Sequence, residues 1–271
     1  MGCSEAENVS FGNPSFGREV YAAFGTELNA IRNMETLMND IFSAANLNAT
    51  EPVQKIVHYL AILTADSLRD VVTLAGHGSG PGAMKIARGM FETAVVAEYL
   101  RRNPDEAENF REYHYIQNWR RYQKLLSSSP ERAKEIRPER VKELQDDYNR
   151  VVPRFTNRKG QIRNQWSKKS IAQMAEEIGR ADQYETPYSL AASIHHGSFE
   201  GIAVHVSMEG DSMSLCERPS LAWVAQALVS AHVYILQVLD TLNDSLHGGF
   251  DERIKAATEE FQRVWKNEKS A

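Results

Sequence analysis

Apolar residues recur at intervals of three and four positions along most of the chain. In the first long segment they fall at Val20, Phe24, Leu28, Ile31, Met34, Met38, Ile41 and Ala45. This spacing places them on one face of a helix, and prolines or capping residues restart the same pattern further on. The pattern predicts helices over residues 16–47, 53–74, 81–102, from 104 onward, 138–152, 170–178, 186–206, 219–246 and 250–265.

No segment shows the strand-type alternation of Val, Ile and Thr, bounded by turn residues, that predicts a strand. The sequence therefore predicts an all-α protein, a bundle of about eight or nine helices. We expect a flexible tail over residues 1–14 and a single helical domain over 15–271, with a polar and basic helical insertion over 104–169. Predicted loops cover residues 75–82, 154–169 and 208–218.

The composition is that of a soluble protein, with 42% hydrophobic and 25% charged residues and a net charge of -5. This acidic excess argues against affinity for nucleic acid over the whole surface, but not against a local patch. The two cysteines, Cys3 and Cys216, predict no structural disulfide, and we expect a cytoplasmic protein.

The most apolar run covers residues 221–239 and is long enough to cross a membrane. It carries Gln226, Ser230, His232 and Gln237, whose side chains are costly in lipid. We therefore predict a buried helix and no membrane span. The helix over 219–246 could pack within the chain or against a second copy, which makes a homo-oligomer possible.

Basic residues concentrate in the segment 150–169, which has seven of them, no acidic residue and two interleaved aromatic residues. Such a segment suits RNA or DNA; the alternative is a solvated loop balanced by acidic patches elsewhere. The predicted nucleic-acid-binding residues are Arg150, Arg154, Arg158, Lys159, Arg163, Trp166, Lys168 and Lys169.

Two helices carry polar residues that are candidates for chemistry. Arg88 and Glu92 lie one turn apart in an apolar run, as a buried pair or as part of a polar pocket. Adjacent helical residues point about 100° apart, so the side chains of His195 and His196 do not point at the same metal or acid–base site. His196 shares its face with Ser193 and Glu200, an arrangement that suits acid–base work or, alternatively, an ordinary buried histidine.

Neither a metal nor a cofactor is predicted. The chain has no pair of Glu-x-x-His motifs and no His-Glu-x-x-His motif. The glycine-rich segment from Gly76 to Lys85 has Met before the lysine and no hydroxyl residue after it, so it does not match a phosphate-binding loop. A flexible connection between helices explains these glycines better.

Several short motifs resemble, in their order, a family of bacterial helical proteins catalogued as a domain of unknown function. They are Arg88-Gly-Met-Phe-Glu92, Glu98-Tyr-Leu, Trp166-Ser-Lys-Lys-Ser170, Met174-Ala, Tyr184, Tyr188, Ser193 and His196-Gly197. The resemblance covers about residues 55–245. It implies that Arg88, Glu92, Tyr188, Ser193 and His196 form one signature, and it implies no activity.

A weaker resemblance is to the HEPN ribonucleases, whose motif is an arginine, four to six intervening residues, and the acid–base histidine. Here the nearest arginine, Arg180, lies fifteen residues before His195. A matching pair would need Arg88 from another helix.

The sequence thus leaves two hypotheses. In the first, the protein binds or cleaves nucleic acid without a metal, in bacterial defence or stress. His196 is then the acid–base, Arg88 the phosphate-directed cation, and Glu92 or Glu200 the orienting carboxylate, with Tyr188 and Ser193 beside them. In the second, the protein is a helical interaction module in which Arg88, Glu92 and His196 form a buried polar network.

Overall fold

The computed structural model describes residues 14–199, 206–209, 212–215 and 220–266. The chain divides into two compact units. Unit 1 joins the two ends of the chain, Met1–Arg101 and Met174–Ala271, and unit 2 is the contiguous segment Arg102–Gln173. The predicted insertion over residues 104–169 lies within unit 2.

The described elements are almost all helices, as the apolar spacing predicts. In chain order they are α1 (Pro14–Asn48), α2 (Pro52–Gly76), α3 (Gly80–Arg102), a 3-10 turn (Pro104–Glu106), α4 (Ala107–Ser128), α5 (Pro130–Lys134), α6 (Pro138–Phe155), α7 (Ile171–Glu177), α8 (Ala181–Gln183), a π-helical turn (Tyr184–Tyr188), α9 (Ser189–His195), the strands β1 (Val206–Glu209) and β2 (Ser212–Leu215), α10 (Val224–Leu246) and α11 (Asp251–Lys266). The all-α prediction is confirmed, and the structure adds one short hairpin.

The core of unit 1 is built around α10. This helix packs against α1, α2 and α11, and buries Leu228, Ile235, Leu239 and Leu242 completely. Among the described helices it is the one long and apolar enough to cross a membrane, and 67% of its most apolar window is buried. Packing within the chain accounts for this apolar face, and an oligomer through it stays a prediction.

Helices α3 and α10 run parallel, with a constant separation of 143 residues between facing positions. The Phe91 and Tyr234 rings lie 5.5 Å apart. The Thr241 hydroxyl donates a hydrogen bond of 3.2 Å to Glu98, also 143 residues away. At the start of both helices, Gly80 lies against the backbone of residues 222–224.

The glycine-rich connection between α2 and α3 is shorter than the predicted loop over 75–82, because α2 continues to Gly76 and α3 begins at Gly80. Its glycines have a packing role. Gly78 adopts a left-handed φ of 71°, and a Cβ on Gly80 would overlap the Ala222 carbonyl oxygen and lie 2.8 Å from the Val224 nitrogen. Close approach of two backbones explains why glycine is needed at Gly80.

The predicted helix over 186–206 is wrong at both ends. The helical segment begins at Ala181 and passes through the π-helical turn, which contains Pro187. A proline inside a regular α-helix lacks the N–H for the backbone hydrogen bond, and its ring collides with the carbonyl group four residues back. The wider π-helical turn relieves this collision. The helix ends at His195, and Gly197 follows with a left-handed φ of 70°, as is common after helix C-termini.

The predicted loop over 208–218 is also wrong in part. Strands β1 and β2 pair antiparallel, with Val206 opposite Leu215 and Glu209 opposite Ser212. The hairpin is four residues long on each side. Each strand is a run of only four alternating residues, Val-Ser-Met-Glu and Ser-Met-Ser-Leu, and Val206 is the one β-branched residue in the pair. The alternation is therefore present, but it is too short and too poor in β-branched residues to stand out from a polar loop.

Unit 2 is a helical hairpin in which α4 packs against α6. Its core is a small cluster of Tyr113, Ile116, Val151 and Phe155. The Tyr113 and Phe155 rings meet edge to face at 5.2 Å. The short helix α5 between them is not predicted from the sequence, because its five residues cannot show a helical period.

Candidate functional site

Three of the predicted site residues of unit 1 meet directly. The Arg88 Nη2 atom lies 2.9 Å from Glu92 Oε1 and donates a hydrogen bond of 3.0 Å to the Tyr188 hydroxyl. That hydroxyl in turn donates to Glu92 Oε1 at 2.8 Å. We call these residues the Arg–Glu–Tyr cluster. It joins α3 to the π-helical turn, and its members are partly exposed, with Arg88 at 22% and Glu92 at 35%.

Two aromatic rings pack against the tyrosine of the Arg–Glu–Tyr cluster. Tyr188 stacks on Tyr184 at 4.8 Å and packs against Phe91 at 5.1 Å. Burial, together with the bond to Glu92, raises the pKa of the Tyr188 hydroxyl. A phenol with a raised pKa keeps its proton at neutral pH, so Tyr188 acts as a neutral hydrogen-bonding bridge and not as a phenolate.

The histidine that the sequence singles out lies apart from this cluster. His196 is exposed just beyond the end of α9, and its ring meets the ring of His195 edge to face at 5.2 Å. The seven residues of α9 separate it from Tyr188, so the two lie eight positions apart, a rise of about 12 Å along a helix. Within the described residues, neither imidazole makes a side-chain hydrogen bond or ion pair.

Of the other two predicted partners of His196, one is described, and it pairs with a different residue. The Ser193 hydroxyl lies 2.6 Å from the Ser198 hydroxyl, an intimate pair across the end of the helix. Glu200 lies outside the described residues. The helix that would place Ser193, His196 and Glu200 on one face ends before His196, so the predicted shared face has no helix to carry it.

In unit 2, two of the predicted nucleic-acid-binding arginines are engaged by a buried carboxylate. Glu112 is 4% exposed, and it accepts hydrogen bonds from Arg150 at 2.6 Å and from Arg154 at 2.8 Å. Arg154 also pairs with Glu108 at 3.0 Å. These bonds join α6 to α4, so Arg150 and Arg154 have a structural role that was not predicted from the sequence.

Two more of these residues pack within unit 2. Arg163 lies over the Phe155 ring at 5.2 Å and donates to the Arg154 carbonyl oxygen. Trp166 meets Phe110 edge to face at 5.2 Å. Lys169 is half-buried. Three of the predicted set, Arg158, Lys159 and Lys168, are exposed and form no ion pair within the described residues.

These three belong to a larger group of exposed basic side chains. Unit 2 is described throughout, and within it eight exposed lysines and arginines form no ion pair with another described residue. We call them the unpaired cations: Arg121, Lys124, Arg132, Arg137, Lys142, Arg158, Lys159 and Lys168. Five of them lie before residue 150, outside the basic segment that the sequence analysis identified.

Charge is distributed unevenly between the two units. Unit 2 has 17 basic and 10 acidic residues, a net charge of +7. The remaining residues, unit 1, have 14 basic and 26 acidic residues, a net charge of -12. The division of the chain into units is needed to see this, because the overall charge of -5 hides it.

A family model matches residues 54–213, more than half of the chain. The chain belongs to DUF5677, a family of unknown function. The DUF5677 match contains the whole Arg–Glu–Tyr cluster, His196 and all of unit 2, and it confirms the resemblance to a domain of unknown function. No curated protein and no solved structure matches the chain.

Unit 1 contains a second polar network, which was not predicted from the sequence. Glu98 is 5% exposed; it accepts two bonds of 2.8 Å from Arg101 and one from Thr241 on α10. The Glu98–Arg101 spacing of three residues was visible in the sequence, but the hydroxyl partner lies far along the chain. Among the described residues, no group of three or more His, Cys, Asp or Glu side chains could hold a metal ion.

Proposed function

We propose that this chain binds nucleic acid through the basic surface of unit 2. The observation that carries the proposal is the charge of +7 on unit 2 within a chain of net charge -5. Nucleic acid suits such a surface, because each phosphate neutralised by a lysine or arginine releases condensed counterions. The eight unpaired cations are available for this purpose, since no carboxylate of the described chain neutralises them.

The turn that carries Arg158 and Lys159 supports the same function. Thr156 and Ile162 pair across it as an antiparallel bridge. Inside the turn, the Asn157 side chain accepts hydrogen bonds from the backbone nitrogens of Lys159 at 2.9 Å and Gln161 at 3.0 Å. The turn therefore holds two cations at an ordered, exposed tip, which lowers the entropy lost when they meet a phosphate.

Cleavage of the nucleic acid is a second candidate, favoured by the exposed imidazole of His196. In that function His196 is the acid–base, Arg88 stabilises the phosphate, and Glu92 or Glu200 orients the histidine. The Arg–Glu–Tyr cluster favours a structural task instead, because Arg88 is already bonded to Glu92 and Tyr188. We therefore rank binding above cleavage. The cytoplasm and a role in bacterial defence or stress belong to the proposal: the first rests on the two cysteines, and the second on the weaker resemblance to the HEPN ribonucleases described above.

Charge reversal at the tip tests the proposal. We expect the full-length protein to bind a fluorescein-labelled RNA or DNA oligonucleotide in anisotropy titrations at low salt. The double variant Arg158→Glu/Lys159→Glu should weaken binding about tenfold or more. It should also reduce the slope of log K against log salt by about 1.5–2, because two phosphate contacts are lost.

The matched control is Lys55→Glu/Lys255→Glu, which reverses two exposed lysines of unit 1 and changes the net charge equally. This control should retain wild-type affinity. Equal weakening by both double variants, or no binding of RNA or DNA by the wild type at about 50 mM salt, would contradict the proposal. His196→Ala in the same samples tests cleavage: loss of product from a folded variant assigns His196 to catalysis.

A further inference from the structure

An aromatic group lies on the outer part of the α4–α6 hairpin. The Trp119 ring stacks on Tyr148 of α6 with centroids 5.5 Å apart and planes at 28°. Its other neighbour is Tyr122, one turn along α4, at 5.4 Å and 38°. All three residues are partly exposed. We call these three residues the aromatic platform.

Two of the three rings of the aromatic platform lie outside the core of unit 2. Tyr148 packs against the cluster around Phe155, whereas Trp119 and Tyr122 belong neither to that cluster nor to the side chains packed against it. Within the described chain, neither the Trp119 indole N–H nor the hydroxyls of Tyr122 and Tyr148 have a hydrogen-bond partner. Tyrosine and tryptophan normally place these groups on a partner when they serve a core, and on a ligand or water when they serve an interface.

Exposed cations lie on the same two helices as the aromatic platform. Arg121 and Lys124 follow on α4 and Lys142 precedes Tyr148 on α6, all three exposed and among the unpaired cations. At the other end of the same face of α4, the Arg150 guanidinium lies 4.9 Å over the Tyr115 ring. Aromatic rings interleaved with positive charge are the arrangement by which proteins hold unpaired bases, stacking each base on a ring while cations follow the backbone.

We infer that the aromatic platform stacks the bases of single-stranded nucleic acid, so that the chain prefers single strands to duplexes. The inference rests on the proposed function and adds the class of ligand. In a duplex the bases already stack on one another and their faces are closed to a protein ring. A purely electrostatic surface, in contrast, would bind the duplex with its higher charge density at least as well.

The test compares a single-stranded oligonucleotide with a duplex of the same sequence, using full-length wild type, Trp119→Leu, Trp119→Phe and the control Leu126→Ala. Leu126 is exposed on the same helix. We expect wild type to favour the single strand and Trp119→Leu to lose about tenfold in single-strand affinity with little change for the duplex. Trp119→Phe should recover most of that affinity, and Leu126→Ala should bind as wild type does.

Tryptophan fluorescence supplies a readout that a merely structural role would not change. Binding of the single strand should quench the wild-type emission, and this quenching should fall in Trp119→Phe. Circular dichroism and thermal melting establish that each variant is folded. If folded Trp119→Leu keeps full single-strand affinity, the inference is overturned although charge-dependent binding persists. If the face binds a protein instead of bases, Trp119→Leu should also keep full single-strand affinity, and the wild type should show no preference between single strand and duplex.

Discussion

At the scale of the residue, the Tyr188 hydroxyl has an unusual position, since it accepts from a guanidinium and donates to a carboxylate. Arg88 and Glu92 also touch each other directly. The hydroxyl therefore closes a three-membered ring of polar contacts between α3 and the π-helical turn. Because the cluster is partly exposed, solvent screens its charges, and its contribution to stability is that of a few hydrogen bonds.

Tyr188→Phe should lower the free energy of unfolding by about 1–2 kcal/mol, because it removes the bridging hydroxyl and keeps the ring. Urea denaturation at pH 7 measures this change.

The control is Tyr184→Phe. The Tyr184 ring stacks on Tyr188, but its hydroxyl has no partner among the described residues. This variant should stay within about 0.5 kcal/mol of wild type. A loss in Tyr184→Phe as large as that in Tyr188→Phe would refute the assigned bridge.

The residue scale also shows what the sequence could and could not predict about the site. The spacing of four between Arg88 and Glu92 predicts their contact, which the structure contains. Tyr188 lies 100 residues from Arg88, and only the family resemblance linked the two. The ion pair between Arg150 and Glu112 could not be predicted for the same reason, since the two residues are separated by 38 positions and lie on two helices. Local spacing predicts local contacts and is silent on distant ones.

At the scale of the element, helix interiors were predictable and helix ends were less so. Apolar spacing identified α1, α2, α6 and α10 to within a few residues, because each is long enough to show several turns of the period. The end of α9 was missed because Gly197 adopts a left-handed φ. A glycine inside an apolar run is compatible with a helix or with its end, and the sequence alone does not decide between them.

The junction of α3 with the start of α10 gives a prediction about glycine. Gly80→Ala should lower the free energy of unfolding by about 2–3 kcal/mol, because the new methyl group meets the backbone of residues 222–224. Thermal or urea unfolding measures it.

Gly89, in the middle of α3, provides the contrast. No atom lies within 4 Å of a Cβ added there, so Gly89→Ala should raise the free energy of unfolding by about 0.5–1 kcal/mol. Opposite signs for the two variants are the expected result; a gain in stability for Gly80→Ala as well would show that the junction is not closely packed.

At the scale of the whole molecule, pH controls the stability of unit 1 through a buried histidine. His232 on α10 is 1% exposed, and burial lowers its pKa to about 4. It accepts a hydrogen bond of 3.3 Å from the Trp265 indole and packs edge to face on Phe261. The pKa of His58 is lowered by burial as well, so both residues act in the same direction.

Because the folded pKa of His232 lies below the unfolded value of 6.5, the unfolded state binds the proton first as the pH falls. Stability is therefore fully present above pH 6.5 and declines towards pH 4, by about 2 kcal/mol between pH 7 and pH 5. Urea denaturation at both values measures this.

His232→Gln should flatten the dependence by that amount, while His77→Gln, at an exposed position, should not. An unchanged pH dependence in folded His232→Gln would exclude this histidine as its source.

The constant separation of 143 residues between α3 and α10 has a consequence for the chain as it is synthesised. Every residue of unit 2 has been added before α10 begins, so the core around Phe155 can close early. The face of α3 that carries Phe91 stays uncovered until Tyr234 has been synthesised. Bringing the two residues together closes a long loop, which is entropically unfavourable. We therefore expect the nascent chain to contain a folded basic hairpin while the apolar face of α3 is still uncovered, and that face is where a chaperone would act.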